Sequence, residues 1–195
     1  MKKFILISLF LLPFLGFSQT HKAITGFLNI PFGSSKATVI NAIKAKGGIF
    51  EAKESKENVL DFSDVPLGLR KSVLLIVKFV DDKAFEADFF FSPDLEAHII
   101  DYYDSINKDL TLIYGEGNSF KNFKEPYTDG DGYEISAIKL GNADYSTYWP
   151  KDAKDDANSV GTNITNTMFI RLRYQDAKLV DIAIAKQNEK NKSEM

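Results

Sequence analysis

The chain contains no cysteine and only two histidines in 195 residues. Without thiols it can form no disulfide framework, iron–sulfur cluster, thiolate zinc site or cysteine nucleophile. Neither His21, beside an end expected to be disordered, nor His98, beside an apolar helical stripe, has an acidic or nucleophilic partner at a fixed spacing. Metal-dependent hydrolysis at a histidine cluster is therefore excluded. GxSxG, HExxH and phosphate-binding glycine loops are also missing. Positive charge is not in excess: a net charge of −3 argues against nucleic acid as the partner. What is there is ordinary for a soluble globular chain, 44% hydrophobic and 26% charged, with room for one domain or two small halves sharing a core.

The amino terminus reads as an address. Lys2 and Lys3 precede an almost wholly apolar run from Phe4 to Phe14, followed by Gly16, Phe17, Ser18 and Gln19. This is the charged, apolar and small-residue order of a secretory signal peptide over residues 1–18, with cleavage expected before Gln19. The apolar run is shorter than a spanning helix requires and is interrupted by Pro13. No membrane span is expected after cleavage, and lipoprotein attachment has no cysteine to use. The expected location is the periplasm or the extracellular space.

The mature chain alternates a helix with several strands, apparently twice. Residues 24–30 read as a lead-in strand, and Ser34 or Ser35 can cap a helix over 36–46 with Val39, Ile40 and Ile43 on one face, stopped by Gly47 and Gly48. Strands are expected over 49–54, 59–63, 72–80 and 84–91, the last two forming a hairpin around Asp81, Asp82 and Lys83. A second helix is expected to start at Ser92 and Pro93 and to carry Leu95, Ile99, Tyr102, Ile106, Leu110 and Ile113 inward, ending at Gly115. Four more strands are expected over 133–140, 143–149, 167–174 and 178–185, with surface linkers at 115–132 and 150–166 and a frayed tail from 186. The halves divide at 19–91 and 92–186, and an offset of 94 aligns Leu74, Leu75 and Ile76 with Met168, Phe169 and Ile170. A tandem duplication or convergent hairpin patterning both explain that alignment. Either predicts an α+β protein in two layers, an antiparallel sheet of about eight strands with two helices on one face.

The run Ile30, Pro31, Phe32, Gly33, Ser34, Ser35 leading into Val39 and Ile43, with the Leu110, Tyr114, Gly115 helix ending, resembles segments of small exported bacterial proteins of the BamE (SmpA/OmlA) type. The doubled helix-plus-four-strand plan is similar to the beta-lactamase-inhibitor-protein fold. These resemblances imply that fold and a noncatalytic binding module. The chain has neither the lipidated cysteine of the first group nor the cysteines of the second.

Two groups of residues carry the functional expectations. Asp129 and Asp131 alternate with glycines and can offer hard oxygen ligands to calcium, although Tyr133 occupies the next alternate position and no EF-hand Glu follows. A solvated turn before a strand is the competing reading. Aromatics are the other group: Tyr145, Tyr148 and Trp149 cluster near one strand end, and Arg171 and Arg173 share a strand face. The leading expectation is a noncatalytic module that binds a protein, peptide or glycan on the uncovered sheet face, with the three aromatics as anchors and the arginines as a polar rim. The alternatives are a carboxylate-based hydrolase using Asp129 and Asp131, and a small-ligand carrier with a cavity between sheet and helices. Expression in a secretion-competent bacterial host should give a product that begins at Gln19 by amino-terminal sequencing; one retaining residues 1–18 would contradict the address reading.

Overall fold

A computed structural model describes residues 21–154 and 156–193, so the predicted signal segment and its cleavage position lie outside the described residues. The chain enters through a small ribbon, β1 (Gly26–Phe27) and β2 (Ile30–Pro31), turned by Leu28 and Asn29 at φ of 50° and 62°. Helix α1 (Lys36–Ala45) follows, capped by Ser35, whose hydroxyl accepts from the Thr38 N–H, and it buries Val39 and Ile43. Then come β3 (Ile49–Phe50), β4 (Val59–Ser63), a side hairpin of β5 (Val65–Leu67) and β6 (Arg70–Ser72), and the long hairpin of β7 (Leu74–Val80) and β8 (Lys83–Phe91). Asp81 and Asp82 both take positive φ, 50° and 58°, as a two-residue type I′ turn requires.

The second half opens with α2 (Ile99–Tyr114), preceded by a single 3-10 turn, and continues through β9 (Asn118–Phe123), α3 (Glu134–Lys139), β10 (Ala143–Trp149), β11 (Ser159–Ile164), β12 (Ile170–Gln175) and α4 (Ala177–Ser193). Eight strands form one sheet in the order β3-β4-β7-β8-β12-β11-β10-β9, with every neighbour antiparallel. Each of α1 and α2 thus precedes four meandering strands of this sheet, and the two meanders meet through their last strands, β8 and β12. The protein is α+β, with the core between the helices and one sheet face. Val39 and Ile43 of α1, Ile99, Tyr103, Ile106 and Leu110 of α2, and Phe89, Phe91, Ile170 and Leu172 of the central strands belong to one buried cluster. Each such aliphatic side chain contributes about 1.5–3 kcal/mol relative to exposure, which is what holds α2 on the sheet.

Several elements differ from the sequence expectation. Residues 133–140 form helix α3 because Ile135 and Ile138 lie three apart and, with Ala137, turn inward. Residues 178–185 belong to α4: the Asp176 carboxylate accepts from the Leu179 N–H as a helix cap, and the short Val180, Ile182, Ile184 alternation is overridden. The supposed tail is helical through Ser193. Strands β9 and β11 occupy segments expected to be linkers, and β9 is a polar edge strand with Lys121 at its middle, a composition that hides strand character while protecting the edge. Helix α2 begins at Ile99 rather than at Ser92, and its inward stripe is Ile99, Tyr103, Ile106, Leu110, Tyr114. By position in the sheet β7 corresponds to β11 and β8 to β12, so the 94-residue offset, which sets β7 against β12, does not follow the meanders.

The face away from α1 and α2 carries charge at the centre. Arg173 of β12 stands opposite Asp88 of β8 and donates to it through Nε at 2.7 Å and Nη2 at 2.9 Å. Glu86, next on the same face, pairs with Lys78 at 2.6 Å and accepts from Gln175. Burial pushes the Asp88 carboxyl upward and Arg173 opposes that only in part; burial also acts on Glu86, but Lys78 and Arg173 outweigh it and hold that carboxyl low. Removing Arg173 would strand a carboxylate whose side chain is 5% exposed. Arg173→Met should cost about 3 kcal/mol, and Arg173→Met with Asp88→Leu should recover most of it, read from urea-unfolding midpoints. A single-variant loss below about 1 kcal/mol, the value of a surface pair, would refute a central role.

Candidate functional site

The five residues expected to form a binding face divide between the two faces of the sheet. Tyr148, Arg171 and Arg173 lie on the open face: Tyr148 is paired in register with Gly161, Gly161 with Arg173, and Asn163 with Arg171. Tyr145 and Trp149 have the opposite parity and point under α2, with 4% and 1% exposure, so they are core residues and not anchors of an uncovered surface. Tyr145 packs edge-on against Tyr103 and Phe123, and the Trp149 indole N–H donates to the Gly115 carbonyl at 2.9 Å. Tyr148 lies over Gly161, where an added Cβ would meet the ring at 2.9 Å, and its edge contacts Phe120. Arg171 donates from Nε to Asn163, while Arg173 is committed to Asp88. The open face is therefore a mixed polar surface with one aromatic pair at its side.

The acidic loop is also built differently from a cation site. Asp131 accepts from the N–H groups of Thr128 and Tyr133 through its two oxygens, and those backbone bonds hold its carboxyl below the ordinary value. Asp129 pairs with Lys121, and Glu134 accepts from the Gly130 N–H. These carboxylates organise the turn into α3. Among the described residues no cluster of three or more His, Asp or Glu side chains is arranged to hold a metal ion.

The helix face has a feature that the residue pattern did not point to. Eight strands are wider than two helices can cover, and the seam between α1 and α2 lies over β8 and β12. At one end of the seam Phe27 of β1 fills it, packing edge-on against Phe89. At the other end the β5–β6 hairpin leans over toward α2. Gly68, at φ 61°, makes its two-residue turn, and Leu69 at the tip is fully exposed. Arg70 ties the hairpin to α2 by donating to Asp109 and, at 2.7 Å, to the Ser105 hydroxyl, with its guanidinium over the Tyr102 ring. Between hairpin, helix and sheet a cleft of about 640 Å³ remains open. Its floor is Phe91, Leu172 and Tyr174, its helix wall Ile106, Leu110 and Ile113, and its outer wall Leu67 and Leu69. Arg70 and Asp109 at the rim are its charged residues, and they pair with each other. Burial pushes the Tyr174 hydroxyl, which faces that of Tyr114, well above the usual tyrosine range, so it stays neutral.

Chemically the cleft offers apolar walls, one neutral tyrosine hydroxyl and the Arg70–Asp109 pair at its rim, a lining of the kind found in ligand pockets. The sequence signal that could have found it is the Gly68–Leu69 turn, an exposed leucine held at the tip of a ribbon. Comparison with protein-family models, curated proteins and solved structures finds no match. Arg70→Ala should release the hairpin: amide exchange at Leu69 and Lys71 should accelerate while global stability falls by less than about 1 kcal/mol. Unchanged exchange would show that Arg70 does not hold the ribbon over the cleft.

Proposed function

We propose that this chain is a noncatalytic exported binding protein that carries a small apolar or amphipathic ligand in the cleft between α2, the β5–β6 hairpin and the centre of the sheet. The observation that carries this reading is the cleft itself: about 640 Å³, apolar on three sides and open to solvent, within the range of ligand sites. Leu69 and Ile113 leave apolar surface in water at its edge, and covering them with an apolar ligand would be favourable. No helix among the described residues is long and apolar enough to cross a membrane. A hydrolase built on Asp129 and Asp131 finds no support in their geometry, since both are engaged in the loop before α3. The exposed Tyr148–Phe120 pair beside Arg171 supports a second reading, a protein, peptide or glycan held on the open face. An internal duplication is supported by the sheet order, in which each helix precedes four strands of one meander; the same order supports the resemblance to the inhibitor-protein fold.

Titration with the neutral fluorophore N-phenylnaphthylamine should give saturable enhancement. Ile113→Trp, at a cleft position 43% exposed and so tolerant of a larger ring, should weaken binding at least about tenfold, roughly 1.4 kcal/mol. Leu67→Trp should do the same from the other wall, and Tyr148→Ala should leave binding unchanged. Absence of saturable binding, or loss with Tyr148→Ala alone, would overturn the cleft reading, the latter in favour of the open face.

A further inference from the structure

Beside the cleft lies a second, more polar recess. This recess, of about 430 Å³, shares Leu67, Ile113 and Tyr174 with the cleft and extends along the β1–β2 ribbon. Its lining mixes apolar residues such as Leu28, Pro31 and Tyr114 with Thr25 and Asn29, and Lys22 is the charged residue among them. Lys22 is held at the junction because its N–H donates to the carbonyl of Ile113, at 3.1 Å, and Ile113 is one of the shared wall residues. The segment is fixed further by the His21 ring packed on Gly115 and by Asn158, which donates to the Ile24 carbonyl. The Lys22 side chain is exposed, and among the described residues it forms no ion pair. Asp156, Asp176 and Lys178 border a third recess together with Lys22, and Asp176 has one oxygen committed to capping α4.

The two recesses have Leu67, Ile113 and Tyr174 as common walls, with an aliphatic and aromatic lining in one and Lys22 bordering the other. We propose that the two recesses serve as one elongated site and that its ligand is a straight-chain carboxylate, its alkyl chain lying against Leu67, Leu69 and Ile113 of the cleft and its carboxylate paired with the Lys22 ammonium. This rests on the carrier reading above and specifies its ligand class. Three features of the site select that class. The rim arginine of the cleft is already neutralised by Asp109, so an anionic head gains little there and more at Lys22. A lone lysine is a point charge, matched to one negative charge; it lacks the guanidinium fork that favours phosphate. A ligand occupying both recesses has to pass the common wall residues Leu67, Ile113 and Tyr174, which favours a long, thin, flexible chain over a rigid polycycle.

The test uses the full-length protein with bound N-phenylnaphthylamine as reporter and compares displacement by dodecanoate, dodecanol and dodecyltrimethylammonium, which share a chain and differ in head charge. Dodecanoate should displace the probe at a concentration about tenfold lower than dodecanol, and the cation should be the weakest. Lys22→Gln, at an exposed position where folding is not at risk, should remove the advantage of dodecanoate over dodecanol while leaving dodecanol and the probe unchanged. Equal displacement by dodecanoate and dodecanol, an advantage that survives Lys22→Gln, or equal displacement by cholesteryl hemisuccinate would each overturn the proposed ligand class with the carrier reading intact. Failure of the probe itself to bind would overturn the carrier reading and this assignment together.

Discussion

The pairing of β8 with β12 is the contact on which the rest of the molecule depends. Six residues of each strand are in register, from Ile170 opposite Phe91 to Gln175 opposite Glu86, and they join two four-stranded meanders that otherwise meet only through packing. On one side of this junction Phe89, Phe91, Ile170 and Leu172 supply the floor on which both helices rest. On the other side Arg173 and Asp88 face each other directly across it. A one-residue slip of β12 would send Arg171 and Arg173 into the core and Ile170, Leu172 and Tyr174 into water, so the charge pair and the apolar floor specify the same alignment.

That junction also explains where the cleft lies. Two helices cannot cover a sheet of this width, and the uncovered line falls over the central strands. The chain closes most of it with segments distant in sequence, the β1–β2 ribbon from one end and the β5–β6 hairpin from the other. The hairpin is attached at its base, where the Ser72 hydroxyl donates to the Val65 carbonyl, and at its tip by Arg70 to α2. What it leaves open is bounded by core side chains on the floor and at the side by a ribbon that is not itself part of the large sheet.

Beneath α2 the core is not wholly apolar. Thr147 is shared by the hydroxyls of Tyr103 and Ser119, at 2.8 and 2.9 Å, and Asn107 accepts from Thr162 at 2.6 Å. Such a network is stable only when its members are satisfied, and it fixes the rotation of α2 over β10 and β11. The cleft wall of Ile106, Leu110 and Ile113 is oriented by the same rotation. The expected stripe had Ile99, Ile106 and Leu110 inward, as found, but took Tyr102 and Ile113 in place of Tyr103 and Tyr114, because hydrophobicity alone cannot choose Tyr103 over Tyr102. The hydroxyl of Tyr103 has a partner in the sheet, whereas Tyr102 serves as a platform for Arg70.

Features with a local cause were legible in the sequence. Ser35 caps α1 by a bond to a residue three positions on, Asp81 and Asp82 turn the long hairpin by their own backbone preference, and the missing cysteines exclude thiol chemistry whatever the fold. The α+β class followed from counting such units. Nonlocal features were not legible: β9 and β11 are strands because β10 and β12 offer them hydrogen-bonding partners, not because Asn118–Phe123 or Ser159–Ile164 are strongly apolar. Tyr145 and Trp149 became core residues because α2 covers their face, while Tyr148, one position away, stayed in water. The cleft, bounded by residues from Leu67 to Tyr174, belongs to no segment of the chain. It is space left between elements, and only the packing of those elements decides whether such space is filled.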